Sequence, residues 1–213
     1  MDKILITAFE PFGGEKINST EKVLNFLPEK IGNLEIIKLL LPVVRNKSLC
    51  KIKDKIMEEK PKYILSLGQA GGSKNIAIER IGINVDDYRI KDNAGNQPID
   101  EKIFCDGENA HFSTLPIKKI YEKLENKGYS VKISNTAGTF VCNHVLYGIR
   151  YMIEKEKLDI KSGFIHIPYI DEQVKDDNTF SMSIKDILNA IICAIEVIEN
   201  YEKDEKIVAG EIF

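Results

Sequence analysis

The chain has 213 residues, 43% hydrophobic and 30% charged, a balance that excludes a disordered chain and predicts one globular domain spanning 1–213 with a substantial core. Its net charge of -3 and pI near 5.8 give no basic footprint for nucleic acid, and no apolar run reaches the ~18 residues needed to cross a membrane. Cys50, Cys105, Cys142 and Cys193 are scattered without a CxxC pair, so neither a zinc site nor a disulfide framework is indicated. The N-terminal apolar run is too short for a signal peptide, and a cytoplasmic location is expected.

Residues 3–8 (KILITA) read as a short buried strand ending in Phe9-Glu10-Pro11-Phe12-Gly13-Gly14, whose proline and paired glycines forbid its continuation. Phe9 and Phe12 then stand in a loop at the strand's C-terminal end, either as a lid on the core or as part of a site. Ser19 or Thr20 is placed to cap a helix carrying Val23, Leu24 and Leu27. A second strand is expected over 35–44, and Asn46 or Ser48 can start a helix with Leu49, Ile52, Ile56 and Met57 at helical spacing. Cys50 on that helix is assigned to packing.

The next strand, 63–67 (YILSL), runs into Gly68-Gln69-Ala70-Gly71-Gly72. This loop resembles a phosphate-binding turn, but it lacks G-x-G-x-x-G and a following G-K-S/T, and 76–85 behind it reads as a strand. Without a helix N-terminus behind the glycines, the usual anion site is missing and nucleotide binding is disfavoured. Glu79 and Arg80 interrupt that apolar strand. Neighbouring strand residues point to opposite faces, so at least one is expected to face inward, as an edge ion pair or as a carboxylate near an active site.

Residues 86–106 are rich in Asp, Asn, Gly and Pro without a sustained period. They are expected to form a long ordered loop or hairpin, with Arg89 and Ile90 within reach of a pocket. Pro116 opens a helix through Ile117, Ile120, Tyr121 and Leu124, closed by Asn126-Lys127-Gly128. A strand over 129–134 then leads into Ser134-Asn135-Thr136-Ala137-Gly138-Thr139-Phe140-Val141-Cys142-Asn143-His144, followed by a helical apolar face of Val145, Leu146, Ile149, Met152 and Ile153. Cys142 is thereby placed at or near a first helical turn, where free N–H groups favour a thiolate. Its competing reading is simple packing, the usual fate of a free cysteine.

The strand 161–167 (KSGFIHI) places His166 at its end, before Pro168. From 182 to 201 a broad apolar stripe forms a helix capped by Ser181 or Ser183, with Cys193 assigned to packing or an interface. Residues 202–213 lack a strong pattern and are expected to fray or to pack on another subunit.

Strands followed by helices along the chain predict an α/β fold, a three-layer α/β/α sandwich with a twisted, mostly parallel central sheet. Ligands of such sheets bind beyond the C-terminal strand ends, a rule that gathers Phe9, Phe12, Gln69, Phe140 to Cys142 and His166 on one edge. Of the three histidines, His144 lies about 200° around the helix from Cys142 and points away, and His111 is expected in a loop. His166 alone has a rigid mount on the right edge, with an inward Glu79 as the group that would fix its tautomer.

FEPFGG at 9–14, GQAGG at 68–72, Glu79-Arg80, DNAGNQPID at 92–100, SNTAGTFVCNH at 134–144 and GFIHIPY at 163–169 together resemble the pyroglutamyl peptidase I family of cysteine peptidases. The resemblance runs over nearly the whole chain. It implies a Cys142-His166-Glu79 triad, hydrolysis of the N-terminal pyroglutamyl residue from peptides through a thioester, no metal or cofactor, and assembly as a homodimer or homotetramer. It also implies oxyanion donors at the Cys142 backbone N–H and near Arg89. The lactam ring of such a substrate is neutral, flat and largely apolar. Phe9, Phe12, Ile90, Phe140 and Val141 suit its walls, and Gln69 and Asn18 suit its amide edge. The chain departs from the family pattern at Ser73, where an arginine is common, at Ser19, where a proline is frequent, and at Phe180-Ser181-Met182, which lacks a preceding proline. These departures bear on loop detail and affinity.

Overall fold

The computed structural model describes residues 1–174, 176 and 178–210. In chain order it has β1 (Asp2–Phe9), α1 (Ser19–Phe26), β2 (Lys30–Ile31), β3 (Leu34–Leu41), α2 (Arg45–Glu59), β4 (Tyr63–Gln69), β5 (Ile76–Glu79), β6 (Ile81–Ile83), β7 (Ala110–Phe112) and α3 (Ile117–Asn126). Then follow β8 (Val131–Ser134), α4 (Val141–Lys155), β9 (Lys161–Ile167), β10 (Tyr169–Ile170), β11 (Ser181–Met182) and α5 (Ile184–Asn200). The main sheet runs β2-β3-β1-β4-β9-β5-β8. Strands β3, β1, β4 and β9 are parallel, as the alternation of strands and helices predicts. The pair β5 and β8 runs against them, because β5 is antiparallel to β9 and parallel to β8.

Helices cover both faces of this sheet, so its central strands are apolar on both sides. On β1, Ile4, Ile6 and Ala8 pack with the apolar stripes of α1, α3 and α5, whereas Leu5 and Phe9 pack with those of α2 and α4. Cys193 belongs to the first of these cores, while Cys50, assigned to packing from its sequence, is exposed.

Several expected boundaries shift for local reasons. The cap of α1 is Asn18, whose Oδ1 accepts from the Thr20 N–H at 2.9 Å, so Ser19 and Thr20 become helical residues. Helix α2 starts at Arg45 rather than at Asn46 or Ser48, and its cap is borrowed: the Arg45 N–H donates to Asp92 of the long loop at 3.1 Å. Helix α5 is capped by Ser183. The strand expected over 76–85 splits at Arg80, and β6 leaves the main sheet to pair with β7. It crosses α4 so closely that a Cβ on Gly82 would lie 2.8 Å from the Tyr147 backbone nitrogen. His111 lies on β7, not in a loop, and is buried.

The segment 86–106 is a largely irregular loop bridged at Asp86 and Glu101. Its turn is organised by Asp92, which accepts from the Ala94 and Asn96 N–H groups. The start of the tail is docked rather than frayed, since Asp204 accepts from the Lys118 and Lys119 N–H groups at the uncapped start of α3. Residues 211–213 of the expected tail lie outside the described residues. Among the described residues no helix is long and apolar enough to cross a membrane.

Candidate active site

Helix α4 begins at Val141 after an extended Phe140, and no side chain caps it. Its first-turn N–H groups therefore keep their donor capacity and the positive end of the helix dipole. Cys142, half-buried, is the second residue of that turn. Strand β8 runs against β9, so Cys142 does not follow from the strand-end rule. The turn of residues 135–140 carries the chain from the end of β8 to His166.

His166 is 9% exposed on β9, and its Nδ1 lies 2.7 Å from Glu79 Oε1. Cys142 stands within hydrogen-bonding reach of the same imidazole. Burial alone would lower the His166 pKa, but the charge of Cys142 and its hydrogen bond, joined by Glu79, outweigh burial and push it up to about 10. The Glu79–His166 contact follows from the antiparallel register, in which Ala77 opposes His166 and Glu79 opposes Phe164. Glu79 and His166 are thus diagonal neighbours on one face of adjoining strands. Glu79 is 2% exposed, and its Oε2 has no partner among the described residues. Arg80, its neighbour, turns the other way and donates from Nε to Asn135 Oδ1 at 2.8 Å, tying β5 to the turn before α4.

Gly68 pairs with His166 across β4 and β9, and a Cβ there would lie 2.7 Å from the imidazole and 2.6 Å from the Phe164 ring beside it. If His166 is catalytic, as the sequence resemblance implies, Gly68→Ala is expected to displace the imidazole and lower kcat by about 100-fold with the fold intact. Steady-state kinetics with circular dichroism measure this, and a kcat within about twofold of the parent contradicts it.

The residues expected around the thiol divide into two groups. Phe12 and Phe140 face each other with ring centroids 6.0 Å apart, and Ile90, 38% exposed, lies against Gly13 of the Phe12 loop. Tyr88, unmarked in the sequence, packs edge-on against Phe140 at 4.6 Å. Phe9 and Val141 are instead 2% and 1% exposed and belong to the core beneath, Phe9 resting on Phe164. Asn18 also departs from its expected place. It is fully buried, its Oδ1 accepts from Thr20 and its Nδ2 donates to the Glu10 carbonyl, so its amide is engaged by the helix cap and the loop after β1.

Gln69 stands at the end of β4, its Oε1 accepting from the Ser19 N–H and from Gln173 Nε2, both at 2.8 Å. Those bonds fix the amide and, among the described residues, leave its own Nε2 without an acceptor. Gln173 has no local sequence signal, since it meets Gln69 from 104 residues away. The Arg89 side chain is exposed, and its carbonyl accepts from Gln97. Ser73 closes a small turn with Asn75.

Residues 2–201 match the pyroglutamyl peptidase family. The chain is 58% identical over 214 residues to a pyrrolidone-carboxylate peptidase of Fusobacterium nucleatum, covering 100% of both chains. It is 51% identical to one from Clostridium botulinum over 99% of each. Among solved structures, pyrrolidone carboxyl peptidase from Thermococcus litoralis superposes with a TM-score of 0.94 at 39% identity, covering 97% of this chain and 99% of that one. Pyroglutamyl peptidase I from Bacillus amyloliquefaciens gives 0.92 at 39% identity, covering 96% and 100%. With a thiol at an uncapped helix start, an imidazole beside it and sequence agreement from end to end, the chain belongs to the pyroglutamyl peptidase family of cysteine peptidases.

Proposed function

We propose that the protein is a cysteine exopeptidase that hydrolyses the N-terminal pyroglutamyl residue from peptides, using Cys142 as nucleophile, His166 as acid and base, and Glu79 as the group that holds His166. The observation that carries this reading is His166 bonded to Glu79 at 2.7 Å with Cys142 beside the same ring. The Cys142 thiolate attacks the scissile carbonyl carbon, and the developing oxyanion is met by the N–H groups of Cys142 and Arg89. Among the described residues neither N–H donates to a protein acceptor. Collapse expels the amine, which takes its proton from the His166 imidazolium, and leaves a thioester. Neutral His166 then draws a proton from water, whose oxygen attacks the thioester and releases pyroglutamate.

Phe12, Phe140 and Ile90 offer flat apolar walls to the lactam, with Gln69 Nε2 as donor to its carbonyl. A prolyl residue lacks that carbonyl and carries a charged amine, so it would leave Gln69 unpaired and bring a charge against the aromatic walls. Side-by-side assays of pyroglutamyl, prolyl and glutaminyl arylamides are expected to favour the pyroglutamyl compound by at least about 1,000-fold in kcat/KM. Comparable rates on the prolyl compound would refute the specificity reading. Hydrolysis that survives full alkylation by iodoacetamide would refute the thiol mechanism.

A further inference from the structure

A second buried imidazole–carboxylate pair lies behind the thiol and takes no part in the chemistry above. His144, two residues after Cys142 on α4, and Asp86 are both fully buried. The His144 Nδ1 donates to the Asp86 carboxylate, at 2.8 Å from one oxygen and 3.1 Å from the other. Arg45, the first residue of α2, closes the array with Nη2 at 3.1 Å from the same carboxylate. Its Nη1 reaches Glu101 at 2.9 Å, across the bridge where the Asp86 and Glu101 backbones exchange bonds of 2.7 and 3.0 Å.

The array sits where two backbone stretches are stitched together. Asn143 accepts from the Ile83 N–H and donates to the carbonyls of Ile83 and Val85, all at 2.9 Å. Thr139 accepts from the Asp87 N–H at 3.1 Å and donates from its hydroxyl to the Asp87 carbonyl at 2.6 Å. Every one of these bonds joins 83–87 to 139–144. The first stretch leads directly into Tyr88, Arg89 and Ile90, and the second contains Cys142. Removing a carboxylate and an imidazole from water beneath a partly exposed guanidinium costs about as much as their mutual attraction returns, so net stability is a poor account of such a group. What it does supply is a fixed relation between the two stretches, because a shift of either one would leave a charge unpaired in the interior.

We propose that the Arg45–Asp86–His144 array is a positioning device for the transition state, locking the segment that carries Arg89 against the first turn of α4 so that the Arg89 and Cys142 N–H groups aim at one point above the thiol. The proposal rests on the reading of the reaction given above. It makes His144 and Asp86 positioning residues, since neither touches substrate.

Its test separates steps that use an oxyanion from one that does not. Iodoacetamide alkylates Cys142 by displacing iodide at a saturated carbon, where no oxyanion forms. Peptide hydrolysis and capture of a pyroglutamyl aldehyde as a hemithioacetal both place charge on the former carbonyl oxygen. In His144→Leu, kcat for a pyroglutamyl arylamide is expected to fall about 10- to 100-fold with KM changed less than about threefold. The aldehyde inhibitor should weaken by the same factor as kcat, while the alkylation rate stays within about twofold. His144→Asn, which returns a donor to the Nδ1 position, is expected to recover most of the loss.

Parallel loss of alkylation and turnover would overturn the proposal, as would unchanged turnover in soluble His144→Leu. If that variant does not fold, Asp86→Asn, which keeps the shape and removes the charge, is held to the same expectations. Insolubility of both would make the array a folding element and end the proposal. A parent enzyme that alkylates at Cys142 but hydrolyses no pyroglutamyl arylamide would instead refute the reading of the reaction, and the array's role with it.

Discussion

Cys142→Ala is expected to lower kcat on a pyroglutamyl arylamide by about 10,000-fold or more. The substitution deletes the proposed nucleophile, while the proposed walls of Phe12, Phe140 and Ile90 and the Gln69 amide stay in place. Affinity for pyroglutamate itself should therefore stay within about threefold of the parent, a split that separates loss of the nucleophile from loss of the site. The same variant removes the largest influence raising the His166 pKa, so that imidazole should titrate well below its value of about 10. Stopped assays at high enzyme concentration, with histidine NMR titration of parent and variant, read both effects. A residual rate within tenfold of the parent would mean that another nucleophile acts.

The second large effect is expected for Glu79→Gln, at about 1,000- to 10,000-fold in kcat. The amide has the carboxylate's shape, so packing at this 2% exposed position is kept. What is lost, in the proposed mechanism, is the negative charge that fixes Nδ1 as the donor and stabilises the imidazolium. The sign of the pH effect follows from the same loss. Glu79 helps raise the His166 pKa, so without it the imidazolium gives up its proton at lower pH and the alkaline limb of the rate profile should move to the acid side. Profiles of kcat/KM against pH measure this, and an unmoved alkaline limb would remove Glu79 from its assigned role.

The elements whose periodicity is local were readable from the sequence. The stripes of α2, α3, α4 and α5 and the buried runs of β1, β4 and β9 fall where the apolar spacing puts them. So does the thiol at the start of α4. Strand direction is a different matter, because nothing local to 76–79 or 131–134 says that these two strands oppose β3, β1, β4 and β9. Beyond the split at Arg80, Gly82 lies against the Tyr147 backbone, a contact distant in the chain that the local pattern does not announce.

Phe9 stood in the sequence as a loop residue. The period of β1 puts it on the same face as Leu5, and therefore under the site rather than in it. The Asn18 amide, which suits a ligand's amide edge, has a nearer use in the cap two residues on. Tyr88, Gln173 and Asp204 each act on elements far away in the chain, where spacing carries no signal.

The place of β9 bears on when the protein acquires its reactivity. It is the last strand of the main sheet to be made, yet it lies between β4 and β5 and bonds to both. Until it arrives, β2-β3-β1-β4 and β5-β8 are two separate ribbons, and Glu79 has no imidazole beside it. A chain emerging from the ribosome thus carries Cys142 before it carries His166, and the pairing proposed to arm the thiol joins His166 to Glu79 across 87 residues. Long-range strand insertion of this kind is slow compared with local helix formation. In the proposed mechanism the nascent chain therefore lacks its catalytic imidazole through most of its own synthesis, and it gains the Glu79–His166 pair in the same event that joins the two halves of its sheet.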